Sequence, residues 1–415
     1  MMKKIFIITI VALVIILIGS LGWYLFARNP EISTSENVGN ILPFGSGDNG
    51  NISVTITDNE FGRDNAVDSS GGGSSFDEFG SPTANLFRIS NVPIAGMVIF
   101  KKSGATIVRY VDRATGHIYD IDLMTFTKTR IVNQTLPKIY EAYFKSDGNT
   151  VLMRSLRNDS DVVDNLILNL TPPQSTSTNT LYAVSSTPLR GNINAIAVGS
   201  GNTLIYSRQD TLSIVSSTFN GTGAKTLLNS VFTNWRLATA GNNLIIYTGA
   251  SADVPGLAYD LNTSNGVLTK ILGPLNGLVA IPETSGKRVL YSYSENNKTR
   301  LFAKNLTDNT QSEILPTTLA EKCIWSIKQI GVVYCGSPTN EPGPSEPDGW
   351  YQGLTHFSDR IWSFNTNNEV AQVLMEPKIK LDVDIDLTEP RLSPDEDYLV
   401  FINKTDLSLW ALKLD

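Results

Sequence analysis

Only two cysteines, Cys323 and Cys335, and two histidines, His117 and His356, occur in the 415-residue chain. Zinc centres built from Cys and His need clustered ligands at short spacing. These four residues supply no such cluster, so no metal site is expected. Basic residues are also scarce: 33 Lys and Arg stand against 40 Asp and Glu, a formal net charge of −7. Nucleic-acid binding needs clustered cations that displace counterions from phosphates, and this balance excludes it. There is no G-x-S-x-G elbow, H-E-x-x-H pair or P-loop, and no cofactor is implied. Gly45-Ser46-Gly47-Asp48-Asn49-Gly50 matches the dinucleotide fingerprint by letters. That motif works only between a strand and a helix, and here it sits inside a Gly-, Ser-, Asn- and Asp-rich stretch.

What the chain does have begins with one long hydrophobic run. From Ile5 to Phe26 no charged residue occurs, and the length suits a helix crossing a ~30 Å hydrocarbon core. Lys3 and Lys4 precede it and Arg28 follows, which places the N-terminus in the cytoplasm. Trp23 and Tyr24 suit the far interface. A cleaved signal peptide, with Ser20-Leu21-Gly22 as its small-residue site, is the alternative. Under either reading the remainder lies outside the cytoplasm. Residues 1–28 are therefore read as a cytoplasmic tip and transmembrane anchor.

Residues 29–84 are rich in Gly, Ser, Asn and Asp, culminating in Gly71-Gly72-Gly73-Ser74-Ser75. Too little apolar surface is available there to offset ordering entropy. As a flexible coil such a linker would separate its ends by roughly 40 Å.

Residues 85–415 read as short strands and turns without a sustained helical period. An apolar strand, a Ser-Asp-Gly-Asn turn and a second apolar strand occupy 140–155, and the design returns at 390–404. Looser copies lie at 195–207, 238–249 and 279–293. Third strands follow at 117–123, 165–170, 212–217, 256–262, 299–306, 360–366 and 407–413. A spacing of roughly 40–55 residues is that of propeller blades. The expected fold is all-β: a β-propeller of about seven four-stranded blades. The final unit lacks an outermost strand, whereas 86–90 precedes the first blade with no neighbour to pair. Donating it to the last blade would close the ring and remove two exposed edges; an open sandwich is the alternative.

These hairpins resemble the repeats of TolB-type and WD-repeat-like propellers, through Ser146-Asp147-Gly148 and Ser393-Pro394-Asp395. Other pieces resemble bacterial membrane-anchored propeller proteins. They are Arg109-Tyr110, Thr115-Gly116-His117-Ile118-Tyr119, Lys138-Ile139-Tyr140-Glu141-Ala142 and Trp350-Tyr351-Gln352-Gly353. Two departures stand out: Glu396 replaces the expected hairpin glycine, and no Trp-Asp dipeptide occurs. The resemblance implies a fold and carries over no catalytic residue.

Loops joining second and third strands share a face with the loops between blades. The longest, 336–359, places Trp350, Tyr351, His356 and Phe357 near Glu341, Glu346 and Asp348. Aromatic rings beside carboxylates suit a glycan or peptide, so Trp350, Tyr351, Asp348 and His356 are candidate ligand contacts. Alternatively, Trp350 and Tyr351 fold back as a lid. The loop's Pro and Gly content suggests that removing 343–353 would cost little stability. Arg113 and His117 occupy the equivalent loop of the first blade, where His117 could equally cap the turn. Arg157, Asp159 and Asp161 sit in that of the second.

Asp382, Asp384 and Asp386 alternate with apolar residues, as in a half-exposed strand. Cys323 and Cys335 flank a hairpin turning at 328–330, which would set them directly opposite and allow a disulfide.

Three functional classes follow. The first is an anchored extracytoplasmic interaction module for a protein or glycan. The second is a cell-envelope hydrolase or lyase using carboxylates at the channel; a buried pair of acidic side chains with perturbed protonation near the channel mouth would favour it, and a channel lined by apolar and hydroxyl side chains would argue against it. The third is a purely structural surface protein, which would show no concave polar pocket.

Overall fold

The computed structural model describes residues 85–414, apart from 158–161, 175–180 and 241–242. The expected anchor, linker and glycine-rich 45–50 stretch lie outside these residues, as do Asp159 and Asp161. Among the described residues no helix is long and apolar enough to cross a membrane.

Seven antiparallel four-stranded sheets follow one another along the chain. We number them as blades 1 to 6, within 94–132, 139–188, 193–229, 235–276, 279–313 and 323–375, and blade 7 within 387–413. The seven segments with the third-strand pattern are the third strands of the seven blades, from Ile118–Asp122 to Leu409–Lys413. Their regularity has a packing cause. Blades stack face to face, so a second strand is covered on both sides and reads as a nearly continuous apolar run. Tyr398–Asn403 and Thr203–Arg208 are buried along almost their whole length. Outer strands such as Ala183–Pro188 face solvent and are polar.

The ring closes through its first strand. Leu86–Ser90 pairs antiparallel with Leu409–Lys413, Phe87 opposite Ala411 and Arg88 opposite Trp410. Leu86, Phe87 and Ile89 are buried. Phe87 joins Ile94, Met97, Ile402 and Leu409 in the cluster that cements blade 7 to blade 1. Equivalent apolar clusters join blades 1 and 2, 2 and 3, 3 and 4, 4 to 6, and 6 and 7.

One local expectation is corrected and one observation is extended. Residues 382–386 are not a strand. The short helix Pro377–Leu381 ends on Asp382 in the left-handed region, and the strand begins only at Leu387. Asp382 and Asp384 are exposed while Asp386 is completely buried. Its carboxylate is held by buried donors described below, and its amide donates to the Asn403 side chain instead of a strand partner. The second concerns Glu396, which does more than replace a turn glycine. It adopts a positive φ of 56°. Its buried carboxylate accepts from Ser326 Oγ and from the Ile327 and Lys328 amides, fastening the blade 7 hairpin to that of blade 6.

Candidate functional site

The long loop of blade 6 crosses the face that carries the inter-blade loops. It leaves the strand Val332–Pro338, forms one helical turn at Asp348–Tyr351 and re-enters at Asp359–Asn365. Gly353, at φ 72°, ends the turn, its amide donating to the Trp350 carbonyl. We call the segment between Pro338 and Asp359 the strap, because it reaches several blades. Asp348 Oδ2 accepts from the Ala252 amide of blade 4. Glu341 pairs with Lys298 of blade 5, and Lys404 of blade 7 donates to the Trp350 carbonyl at 2.7 Å.

Beneath the strap lies a sealed polar pocket. Trp350 is 2% exposed, and its indole Nε1 donates to both oxygens of Asp386 at 2.9 and 3.0 Å. Lys322 is fully buried between Asp386 and Asp359, with Asp359 Oδ2 2.8 Å away. The rings of Trp350 and Phe357 flank its ammonium, centroids 5.2 and 4.7 Å distant. A buried charge survives only if paired and hydrogen-bonded, and this cage supplies both conditions. Removing 343–353 would take away the Trp350 ring and the indole donor to Asp386 and open these three paired groups to water. That is at odds with the expectation that the deletion costs little stability.

A second cluster lies on the ring axis. The inner strands Ile139–Phe144, Trp235–Ala240 and Leu387–Leu392 contribute Glu141 and Tyr143, Arg236, and Glu389 and Arg391. These groups sense one another across the channel: Arg236 interacts with Tyr143, Tyr143 with Glu389, and Glu389 with Glu141. Tyr351 reaches this cluster from the strap. Its ring lies 5.1 Å from the Arg236 guanidinium, and Glu321 and Tyr247 adjoin it.

Enclosure by protein pushes the Glu321 carboxyl up, with Tyr351, Arg236 and the lysines opposing. Enclosure also raises Glu389, with Arg391 opposing and Glu141 adding to the rise. Glu389 is nevertheless reached by solvent; it is walled in by the channel without being dry. A bulge places it there, since the register with the neighbouring strand shifts between Thr388 and Arg391 and Glu389 has φ 49°. Glu141 is held by Arg154 at 2.6 Å. Arg236, Glu389 and Arg391 are exposed and make no ion pair within 4 Å among the described residues.

The sequence-derived candidates fall into two groups. Trp350, Tyr351 and Asp348 share the helical turn, with Trp350 facing the pocket, Tyr351 the channel and Asp348 blade 4. His356 is exposed on the strap. Arg113 and His117 are half-buried in the blade 1 loop, where His117 Nε2 lies 3.3 Å from Thr135 Oγ1. No hydrogen bond or ion pair joins this loop to the strap among the described residues. Arg157, in the blade 2 loop, pairs with Asp164. Cys323 and Cys335 are cross-strand partners joined by a disulfide, with Cα atoms 4.1 Å apart.

Sequence reasoning missed Lys322, Asp359, Asp386, Arg236, Glu321 and Glu389. Only Asp386 stood in a pattern that drew notice, and that pattern suggested exposure.

These features define the protein as a seven-bladed β-propeller with a strap across one face. No family model and no curated protein matches the chain. The likeness to TolB-type and WD-repeat propellers therefore stays at the level of individual motifs. Among solved structures, an oligogalacturonate lyase in complex with manganese is similar, with a TM-score of 0.45 and 10% identity. The match covers 78% of this chain and 97% of that one. No residue role is transferred from it.

Proposed function

We propose that the protein is an interaction module, anchored by residues 5–26 and displayed outside the cytoplasm, that binds a protein or glycan through the channel mouth beside the strap. The observation that carries this reading is the set of charged groups exposed there without ion partners: Arg236, Arg391 and Glu389. Unneutralised guanidinium groups held by rigid strands cost little to organise and suit a partner that brings carboxylates or hydroxyls.

The test is capture from intact cells after chemical cross-linking. Arg236→Glu combined with Arg391→Glu is expected to lose the partner. Arg236 also lies against Tyr351 and opposes the charge of Glu321, so the neutral pair Arg236→Gln and Arg391→Gln, expected to weaken capture with a folded far-UV spectrum, separates loss of the site from loss of the fold. An unchanged set of captured partners would overturn the proposal.

A second reading is favoured by one observation, the raised pKa of Glu389 beside Glu141. A carboxyl whose pKa is raised by enclosure near a second carboxylate has the form of an acid and base pair acting on an envelope polymer. Glu389→Gln separates the two readings. It removes the ionisable group that acid and base chemistry needs and leaves Arg236 and Arg391 in place, so a hydrolase or lyase would lose turnover entirely whereas a binding site would keep part of its capture.

A further inference from the structure

The pocket beneath the strap holds one amine and two carboxyl groups, all three essentially inaccessible to solvent. Lys322 and Asp386 are 0% exposed and Asp359 is 1% exposed. Lys322 Nζ donates a hydrogen bond to Asp386 Oδ1 and lies 2.8 Å from Asp359 Oδ2. Asp386 Oδ2 receives the Phe357 amide at 3.2 Å in addition to the indole N–H that spans both oxygens. Asp359 Oδ2 receives the Leu387 amide at 2.7 Å, whereas its Oδ1 is buried without a hydrogen-bond partner among the described residues. A buried acceptor left unsatisfied is costly, and a proton on that oxygen would reduce the charge of the pocket.

We propose that Lys322 and Asp386 become joined by an amide cross-link formed by the folded chain itself, with Asp359 as the proton relay. Charge separation is expensive in a dry site, so passing one proton from the ammonium to the Asp386 carboxylate leaves a neutral amine and a neutral acid in contact. The Lys322 nitrogen lone pair attacks Cγ of Asp386, and the carbonyl π pair moves onto oxygen. The indole and Phe357 N–H groups already point at those oxygens, as donors to a developing oxyanion must. Asp359 takes a proton from the nitrogen and returns it to the departing hydroxyl. The Cγ–O bond breaks, water leaves, and Asp359 ends in the protonation state in which it began. Ammonium and carboxylate have become amide and water, with no oxidant or reductant required. Confinement supplies the effective concentration that makes amide formation feasible. Burial, with Asp386 adding and Lys322 opposing, raises the Asp359 pKa to about 6, a value suited to proton relay near neutrality.

The bond would tie the short helix Ala320–Lys322, just ahead of blade 6, to the residue that leads into blade 7. It would lock the seat on which Trp350 rests.

The experiment is mass spectrometry of the full-length chain after denaturation, disulfide reduction and digestion at Lys and Arg. Wild type is expected to give a branched peptide joining residues 322 and 386, lighter than its two arms by one water and uncleaved after Lys322. Lys322→Met removes the bond. Asp359→Asn keeps the side-chain volume but lacks the relay, and is expected to give linear peptides with a folded far-UV spectrum. Asp386→Asn, releasing ammonia instead of water, is expected to give the same branched product. Linear peptides from wild type overturn the cross-link whatever the variants do. A branch at residue 359, or an undiminished branch in Asp359→Asn, overturns the assigned acceptor or relay.

Discussion

Asp359 shows how a single residue can tie stability to pH. Its folded-state pKa is raised from 3.8 to about 6 by burial, Asp386 adding to the rise and Lys322 opposing it. A carboxyl raised on folding binds more protons in the native state than in the unfolded one. Its contribution is therefore complete below about pH 4 and is lost as pH climbs through about 6. Relative to Lys322→Met carrying Asp359→Asn, Lys322→Met alone, in which no cross-link can form and the opposing ammonium is gone, should lose thermal stability as pH rises from about 4 through 6, as read by the melting temperature across that window. Parallel curves for the two proteins would refute this.

Little of this could be read from the sequence, because Lys322, Asp359 and Asp386 are far apart in the chain and meet only when blades 5, 6 and 7 stack. Glu396 is different. It was visible as an exception to the turn pattern, yet its role depends on amides at 327 and 328 that only the fold brings near.

At the level of elements, the strap is a loop that behaves like core. Its residues read as polar, Pro-rich connection, and most of it is irregular backbone. One helical turn nevertheless drives Trp350 into the pocket and leaves Tyr351 on the channel. The sequence raised both a ligand contact and a lid for these rings, and the two adjacent side chains point into different environments. Trp350→Ala would remove a buried ring and the N–H donor of Asp386. Truncations of this kind cost about 3–5 kcal/mol, so a clear fall in the denaturant midpoint is expected. A shift of under about 0.5 kcal/mol, the range of ordinary surface substitutions, would mean that the strap is not anchored there.

The disulfide neighbours this seat but fastens a different element. It joins the first two strands of blade 6, and the hairpin register alone was enough to pair the cysteines.

For the whole molecule, circular closure was the most legible feature. Seven third-strand echoes counted the blades, and the unpaired strand at 86–90 found its place beside 409–413. Repetition in sequence reports repetition in packing, because every blade must bury both faces. The channel is legible only in three dimensions. Arg236 sits in an unremarkable strand, WRLATA, and Glu389 owes its position to a bulge. The ring axis makes neighbours of residues from blades 2, 4, 6 and 7, and their unpaired charges make that mouth the proposed binding surface.

The most direct test replaces Gln352, exposed on the strap beside Tyr351, by a photoreactive amino acid in intact cells, with Val373 on the exposed outer strand of blade 6 as the control position. Covalent adducts with a partner are expected from position 352, diminished when Arg236→Glu and Arg391→Glu are added, and none from 373. Adducts from 373 alone, or from neither position, would contradict the proposed binding surface.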